Sequence, residues 1–177
     1  HLNENVYGQS LKARKAIADS ADDSHKYAFQ TLFQLLGLMA KLEDIPQEYV
    51  GLGAGSTEFL EKAAVFNALA GGDILLPTPT YGDIARFGRT LGSKLIEVPV
   101  SDDMAINLDA IRAAMTKNVK LIYLCNPNNP IPTIIEKNAL IEFINEYSDQ
   151  ATVLIDEAYF EYVDNENYES MIGMVKE

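Results

Sequence analysis

The sequence predicts an α/β fold, a mainly parallel sheet sandwiched between helices and preceded by an N-terminal helical arm. Two observations predict it. Short apolar runs alternate with stretches of helical periodicity from residue 49 to residue 155, and the runs at 120–125 and 152–155 are almost wholly apolar where a half-exposed strand would alternate. Continuous apolarity implies burial on both faces, and the intervening helices supply the cover.

The elements follow in order. Phe29, Leu32, Phe33, Leu36 and Met39 recur at three and four residues, as one face of an amphipathic helix requires. A short apolar strand is expected at 49–52, then a helix over 56–70, a break at Gly71-Gly72 and a strand at 73–77. A helix after Tyr81 ends at Gly92, a strand occupies 94–98, and Asn107 is placed to cap the next helix. Between the two apolar strands at 120–125 and 152–155 lies a periodic helix carrying Leu140, Ile141, Phe143 and Ile144. Residues 169–177 read as the opening of a further helix, and no internal repeat or Pro/Ser-rich linker interrupts the chain.

Composition narrows the function classes. With 47% hydrophobic and 23% charged residues the chain has the balance of a globular domain. A formal net charge of -12 repels polyphosphate backbones and anionic lipid, which argues against nucleic-acid and membrane partners. The lone Cys125 and the two separated histidines, His1 and His25, build neither a disulfide framework nor a clustered metal site. Every apolar stretch stops short of the roughly 18 residues of a membrane span, so a cytoplasmic location is expected. The chain opens on His1, and a targeting segment upstream of it would not be seen.

In open α/β sheets ligands bind beyond the carboxyl ends of the strands, so the loops there carry the chemistry. The first is Gly53-Ala54-Gly55-Ser56-Thr57-Glu58, a glycine-rich turn opening a helix, where free N–H groups and the helix dipole favour a phosphate. The bland alternative is a tight turn capped by Ser56 or Thr57. A dinucleotide fingerprint fails here, because Ser56 stands where the third glycine belongs and the next strand lacks the ribose-binding acid.

The second loop, Pro77-Thr78-Pro79-Thr80-Tyr81-Gly82, stiffens the chain before an aromatic able to stack on a flat ring, or simply to pack half-buried. The third, Asn126-Pro127-Asn128-Asn129-Pro130, can aim an amide at a ligand or form a plain Asx turn. The fourth, Asp156-Glu157-Ala158-Tyr159, sets a carboxylate and a phenol directly after an apolar strand, either to converge with the other loops or as an ordinary cap.

Taken together, the arm Leu2-Asn3-Glu4-Asn5, Gly-Ala-Gly-Ser-Thr-Glu, Pro-Thr-Tyr-Gly, Asn-Pro-Asn-Asn-Pro and Asp-Glu-Ala-Tyr, in that order, resemble the histidinol-phosphate aminotransferase group of the aspartate-aminotransferase superfamily, the fold-type-I pyridoxal-phosphate enzymes. The likeness runs over nearly the whole chain and corresponds to the N-terminal half of such an enzyme. It implies that residues 1–45 form an arm and helix belonging to the small domain and dimer interface, and that 46–177 form a cofactor-binding large domain, incomplete at its C-terminal end.

The resemblance also implies roles. Asp156 would pair with the pyridine nitrogen of pyridoxal 5'-phosphate, Tyr159 and Asn129 would hydrogen-bond the ring's phenolic oxygen, and Tyr81 would stack on the ring face. Backbone amides of Gly55, Ser56 and Thr57 would hold the phosphate. Tyr27 would reach the cofactor phosphate of a neighbouring subunit in a homodimer, and Tyr7 and Asn129 would contact substrate. The activity implied is transfer of an amino group between an amino acid or amine, histidinol-phosphate-like or aromatic, and a 2-oxo acid. Alternatives are decarboxylation of a phosphorylated amino acid on the same scaffold, and a non-catalytic aminotransferase-like binding module; a plain nucleotide-binding domain is disfavoured by the missing glycine and acid.

The sequence departs from the family pattern in places. Ile131-Pro132 follow Asn129-Pro130 where similar proteins have threonine and glycine, and Val6 stands where proline is common. The family's Schiff-base lysine follows Asp-Glu-Ala-Tyr in a Ser-Lys segment, and none of the ten lysines up to Glu177 sits in that context. The 177-residue chain alone is therefore expected to be inactive. Arg14, Arg86, Arg89 and Arg112 read as solvated helix surface.

Overall fold

The structure, a computed structural model, describes residues 3–176; His1, Leu2 of the arm motif and Glu177 lie outside the described residues. Six α-helices and four strands make up its regular structure: α1 (Leu11–Ser20), α2 (Phe29–Leu42), α3 (Ser56–Leu69), β1 (Asp73–Thr78), α4 (Asp83–Thr90), β2 (Leu95–Pro99), α5 (Leu108–Ala114), β3 (Val119–Cys125), α6 (Lys137–Tyr147) and β4 (Thr152–Asp156). All strand pairings are parallel, in the order β2-β1-β3-β4. The expected sandwich is present, and side-chain parity divides it. Ile74, Leu76, Leu121, Tyr123 and Cys125 pack beneath α3 and α4 with Leu60, Ala64 and Ile84. Leu75, Ile122 and Leu124 pack on the other face against α5 and α6 through Ile111, Leu140 and Phe143.

Local signals explain most elements. The Asn107 side chain accepts from the Ala110 N–H at 2.9 Å and starts α5 as anticipated. Gly71, at φ +64, ends α3 in the left-handed region, and the Asn67 amide donates to the Gly72 carbonyl at 2.7 Å to close the turn into β1. Arg14 lies exposed on α1, while Arg86, Arg89 and Arg112 pair with Asp83, Glu97 and Glu146 on helix surfaces.

Four differences from the sequence reading have physical causes. Residues 49–52 form no strand: after Pro46 the amides of Tyr49 and Val50 fold back onto the carbonyls of Pro46 and Gln47 in a 3₁₀ turn, which leaves no ladder to join. β4 is buried on both faces only in part, because it is an edge strand; Val153, Leu154 and Ile155 are half-buried, and Leu154 lines an open groove with Phe59 and Phe66. The terminal segment winds as a 3₁₀ helix over Met171–Lys176. Helix α1 carries no apolar stripe and rests on the Ser10 cap, the Lys15–Asp19 pair and intrinsically good helix formers.

Helix α2 forms where its periodicity says, yet only Ala40 of it is buried, and Phe29 and Phe33 stand 64% and 62% exposed.

Gly72 tests the α3-to-β1 approach. A Cβ there would sit 2.6 Å from the Lys120 Cβ and 2.5 Å from the Asn67 Oδ1, so Gly72→Ala forces β3 and the turn apart. The expected cost is about 1–3 kcal/mol of overpacking strain, read as a lower denaturant midpoint with unchanged m-value. Wild-type stability in that variant would mean that the contact relaxes freely.

Candidate functional site

Asymmetric connections create the site. The chain leaves β1 toward β2 but leaves β3 toward β4, so the crevice opens between the carboxyl ends of neighbouring β1 and β3. The loops above those ends are stapled together: the Thr80 hydroxyl donates to the Asn128 Oδ1 at 2.8 Å and the Asn128 amide donates to the Pro79 carbonyl at 3.1 Å. Asn128 is buried and spent on this bridge, whereas its neighbour Asn129 is half-buried and lines the cavity. Asn126 is structural too, its Oδ1 accepting the Ile135 N–H at 2.8 Å and its carbonyl accepting the Tyr168 hydroxyl at 3.0 Å.

A cavity of about 230 Å³ lies beyond the carboxyl ends of the strands, lined by Ser56, Tyr81, Cys125, Asn129, Asp156 and Tyr159 together with Asn3 and Ala158. Asp156 is only 7% exposed. It pairs in register with Cys125 and so shares the α3/α4 face with Tyr123 and Cys125. The Tyr123 hydroxyl donates to Asp156 Oδ2 at 2.9 Å, and the Ala158 N–H donates to Oδ1 at 3.2 Å. Burial, reinforced by the Asp156 carboxylate, pushes the Cys125 thiol up to about 11, so it lines the cavity as a neutral group and not as a nucleophile.

Helix α3 points its N-terminus at this cavity. Gly55 sits at φ +72 with open space where a Cβ would be, and no side chain caps the helix. Orphan backbone donors at a helix start form a ready anion cradle. The neighbouring Thr57 hydroxyl donates to Asp83 Oδ2 at 3.3 Å, as does the Tyr81 hydroxyl at 2.9 Å, which orients the Tyr81 ring from its far end. Burial works to raise the Asp83 carboxyl, but the Arg86 guanidinium and these two hydroxyls outweigh it and hold it below the ordinary carboxylate range.

Five of the residues singled out from sequence therefore meet around one cavity: Ser56, Tyr81, Asn129, Asp156 and Tyr159. Gly55 and Thr57 flank Ser56 at the helix start. Tyr7 and Tyr27 are not brought to the cavity; they stand 94% and 89% exposed, Tyr27 stacked on Phe29. From the arm it is Asn3 that arrives, its amide donating to the Tyr159 hydroxyl at 3.0 Å. Tyr123 escapes the sequence reading, and Asn3, although part of the arm motif, is given no role there. Tyr123 is legible by parity, two residues before Cys125 in the same strand.

With this geometry in view, comparison with known proteins is decisive. The sequence profile described as Aminotransferase class I and II matches residues 2–177. The chain belongs to the class I and II aminotransferase family. It is 32% identical to the aromatic amino acid aminotransferase of Thermobifida fusca over 161 residues, 91% of this chain and 45% of that protein. To the histidinol-phosphate aminotransferase of Brevibacillus brevis it is 31% identical over 175 residues, 99% of this chain and 48% of the relative. A crystal structure of an Erwinia carotovora atroseptica protein superposes with a TM-score of 0.91 at 29% identity over 99% of this chain and 51% of its own. The chain thus spans about half the length of the curated relatives it matches.

In this aminotransferase-family chain the second acid of the pair turns away from the cavity. Glu157 accepts from the Met171 N–H at 2.8 Å and from the Ser170 hydroxyl, tying down the terminal 3₁₀ helix. Burial raises its carboxyl above the ordinary value of 4.5, against those two donors. A raised acid contributes stability that is complete below the unfolded value and is lost as pH rises through the folded one. Glu157→Gln, neutral throughout, is therefore expected to melt at or above wild type at pH 7 and to lose that advantage below pH 4.5. A melting difference that stays constant across this range would overturn the assignment.

Proposed function

We propose that this chain is the cofactor-binding half of a pyridoxal-phosphate-dependent aminotransferase, moving an amino group between an amino acid or amine of histidinol-phosphate-like or aromatic kind and a 2-oxo acid. The observation that carries this is the buried Asp156 carboxylate on the floor of a cavity walled by Tyr81, Asn129 and Tyr159, beside a helix start with no side-chain cap.

The residues fit the cofactor's chemistry. Asp156 favours a protonated pyridine nitrogen, since an opposite charge nearby stabilises the charged form. The Tyr159 phenol and Asn129 amide are donors suited to the ring's phenolic oxygen, and Tyr81 offers a flat aromatic face. Backbone N–H groups of Ser56 and Thr57 are suited to its phosphate, whereas that of Gly55 donates to the Gly53 carbonyl at 2.9 Å, so Gly55 contributes an approach unobstructed by a Cβ. When bound, pyridoxal phosphate supplies an electron-withdrawing ring that stabilises negative charge at the substrate carbon losing its proton. The protein's share is to bind, to orient and to keep the ring nitrogen protonated.

In this reading the site is completed across a homodimer, with Tyr27 reaching the partner's cofactor phosphate and Tyr7 the substrate. The support is the apolar surface of α2, where Phe29, Phe33, Leu38 and Leu42 lie exposed. Residues 1–45 would be the arm and interface portion, and 46–177 the cofactor-binding domain. The buried, unpaired Cys125 accords with a reducing, cytoplasmic setting. No lysine lines the cavity among the described residues, so the 177-residue chain taken alone is expected to give no turnover.

The test is a titration of the intact gene product with pyridoxal phosphate, followed by absorbance, together with its intact mass. Binding is expected, with at least about a tenfold loss of affinity in Asp156→Ala, since hydrogen bonds to charged groups contribute about 1.5–3 kcal/mol. Failure of the wild-type protein to bind the cofactor would sink the reading. Turnover by the isolated 177 residues would refute the expectation of inactivity.

A further inference from the structure

Tyr123 lies on β3 with its ring fully buried, between Leu121 and Cys125 on the α3/α4 face. Packing alone would be satisfied by phenylalanine at this position. A buried phenol needs a partner, and Tyr123 donates to the one carboxylate on the cavity floor, Asp156 Oδ2, at 2.9 Å. The other oxygen, Oδ1, is held by the Ala158 N–H at 3.2 Å. The two donors come from different elements, β3 and the turn after β4, so together they fix the rotation of the carboxylate about its own axis. Each carboxylate oxygen keeps acceptor capacity beyond the bond it makes here.

We infer that Tyr123 is a positioning residue for Asp156, holding that carboxylate aimed so that a proton shared with a cationic ring nitrogen in the cavity stays on the ring. This inference rests on the cofactor reading above and adds a residue to it. Hydrogen bonds donated to a carboxylate stabilise its charged form, so the Tyr123 donor disfavours transfer of the ring proton to Asp156. Burial first, and the negative charge of Asp156 with it, pushes the Tyr123 phenol far above its ordinary range, so it remains a donor wherever the protein is folded. No bond other than the N–H···O contact is involved: the proton resides on nitrogen with the donor present and shifts toward Asp156 oxygen without it.

The experiment uses the protein as its gene encodes it and pyridoxamine 5'-phosphate labelled with ¹⁵N in the ring, a probe that needs no lysine link. The ring ¹⁵N resonance separates pyridinium from neutral pyridine. Wild type is expected to hold the pyridinium form, and Tyr123→Phe to move the resonance toward neutral pyridine while losing about tenfold in affinity for the probe, the loss expected for one hydrogen bond to a charged group. Affinity for inorganic phosphate, which engages only the helix start, is expected to be unchanged. A folded Tyr123→Phe protein with a wild-type ¹⁵N resonance overturns the inference and leaves the cofactor reading standing. A wild-type protein that does not bind the probe overturns both.

Should Tyr123→Phe fail to fold, site-specific 3-fluorotyrosine at 123 keeps both the donor and the volume. Its ¹⁹F resonance is expected to move when the probe enters wild-type surroundings and to stay still when inorganic phosphate alone enters. No movement with the probe overturns the assignment.

Discussion

A carboxylate taken out of water at the end of a strand must be met by donors, and the architecture around Asp156 is organised by that demand. Strand β3 supplies a phenol from one side and the turn after β4 supplies a backbone N–H from the other. Both depend on the parallel register that sets Cys125 beside Asp156, and the Asn126 N–H continues that register by donating to the Asp156 carbonyl at 2.9 Å. The sheet is thus the frame on which a charge is held at the foot of a cavity.

The rest of the site is assembled by loops that would be floppy singly and are rigid in combination. Thr80 and Asn128 join the loops above β1 and β3, and Tyr168 braces the second of these from behind. Asp83 ties the aromatic wall to the first turn of α3 by accepting from both Tyr81 and Thr57. Pre-organisation of this kind leaves little conformational entropy to be lost when a ligand enters.

Much of this is legible in the sequence, for reasons that differ from residue to residue. The buried strand at 120–125 announces itself by unbroken apolarity, and the start of α5 by Asn107, a capping residue immediately ahead of buried Leu108. Asp156 and Tyr159 stand out through convergence with the other loops, since an acid pair ending an apolar strand is by itself common as a cap. What stays hidden depends on tertiary context. Residues 49–52 carry strand propensity, but Pro46 and the turn it starts leave them no neighbour to pair with. Residue chemistry alone does not separate Asn128 from Asn129; the family resemblance picks out the second, and the opposite loop supplies the physical reason by making the first a staple while the second faces the cavity. In the Asp-Glu pair, adjacency along the chain sends the two acids to opposite sides, one to the site and one to the terminal 3₁₀ helix.

The alternation along β3 has an evolutionary consequence. Leu121, Tyr123 and Cys125 face one layer while Ile122 and Leu124 face the other, so the strand is read in two interleaved frames. Losing or gaining a single residue within Leu121–Cys125 would exchange those frames, driving the phenol into the α5/α6 layer and an aliphatic chain against the buried charge. Substitutions can drift slowly through such a strand, whereas changes of length have no intermediate that works. The frames therefore tie the spacing from Leu121 to Asn126 to the site, while the irregular register between Val119 and Leu121 and the exposed connections at the far edge of the sheet are under no such constraint.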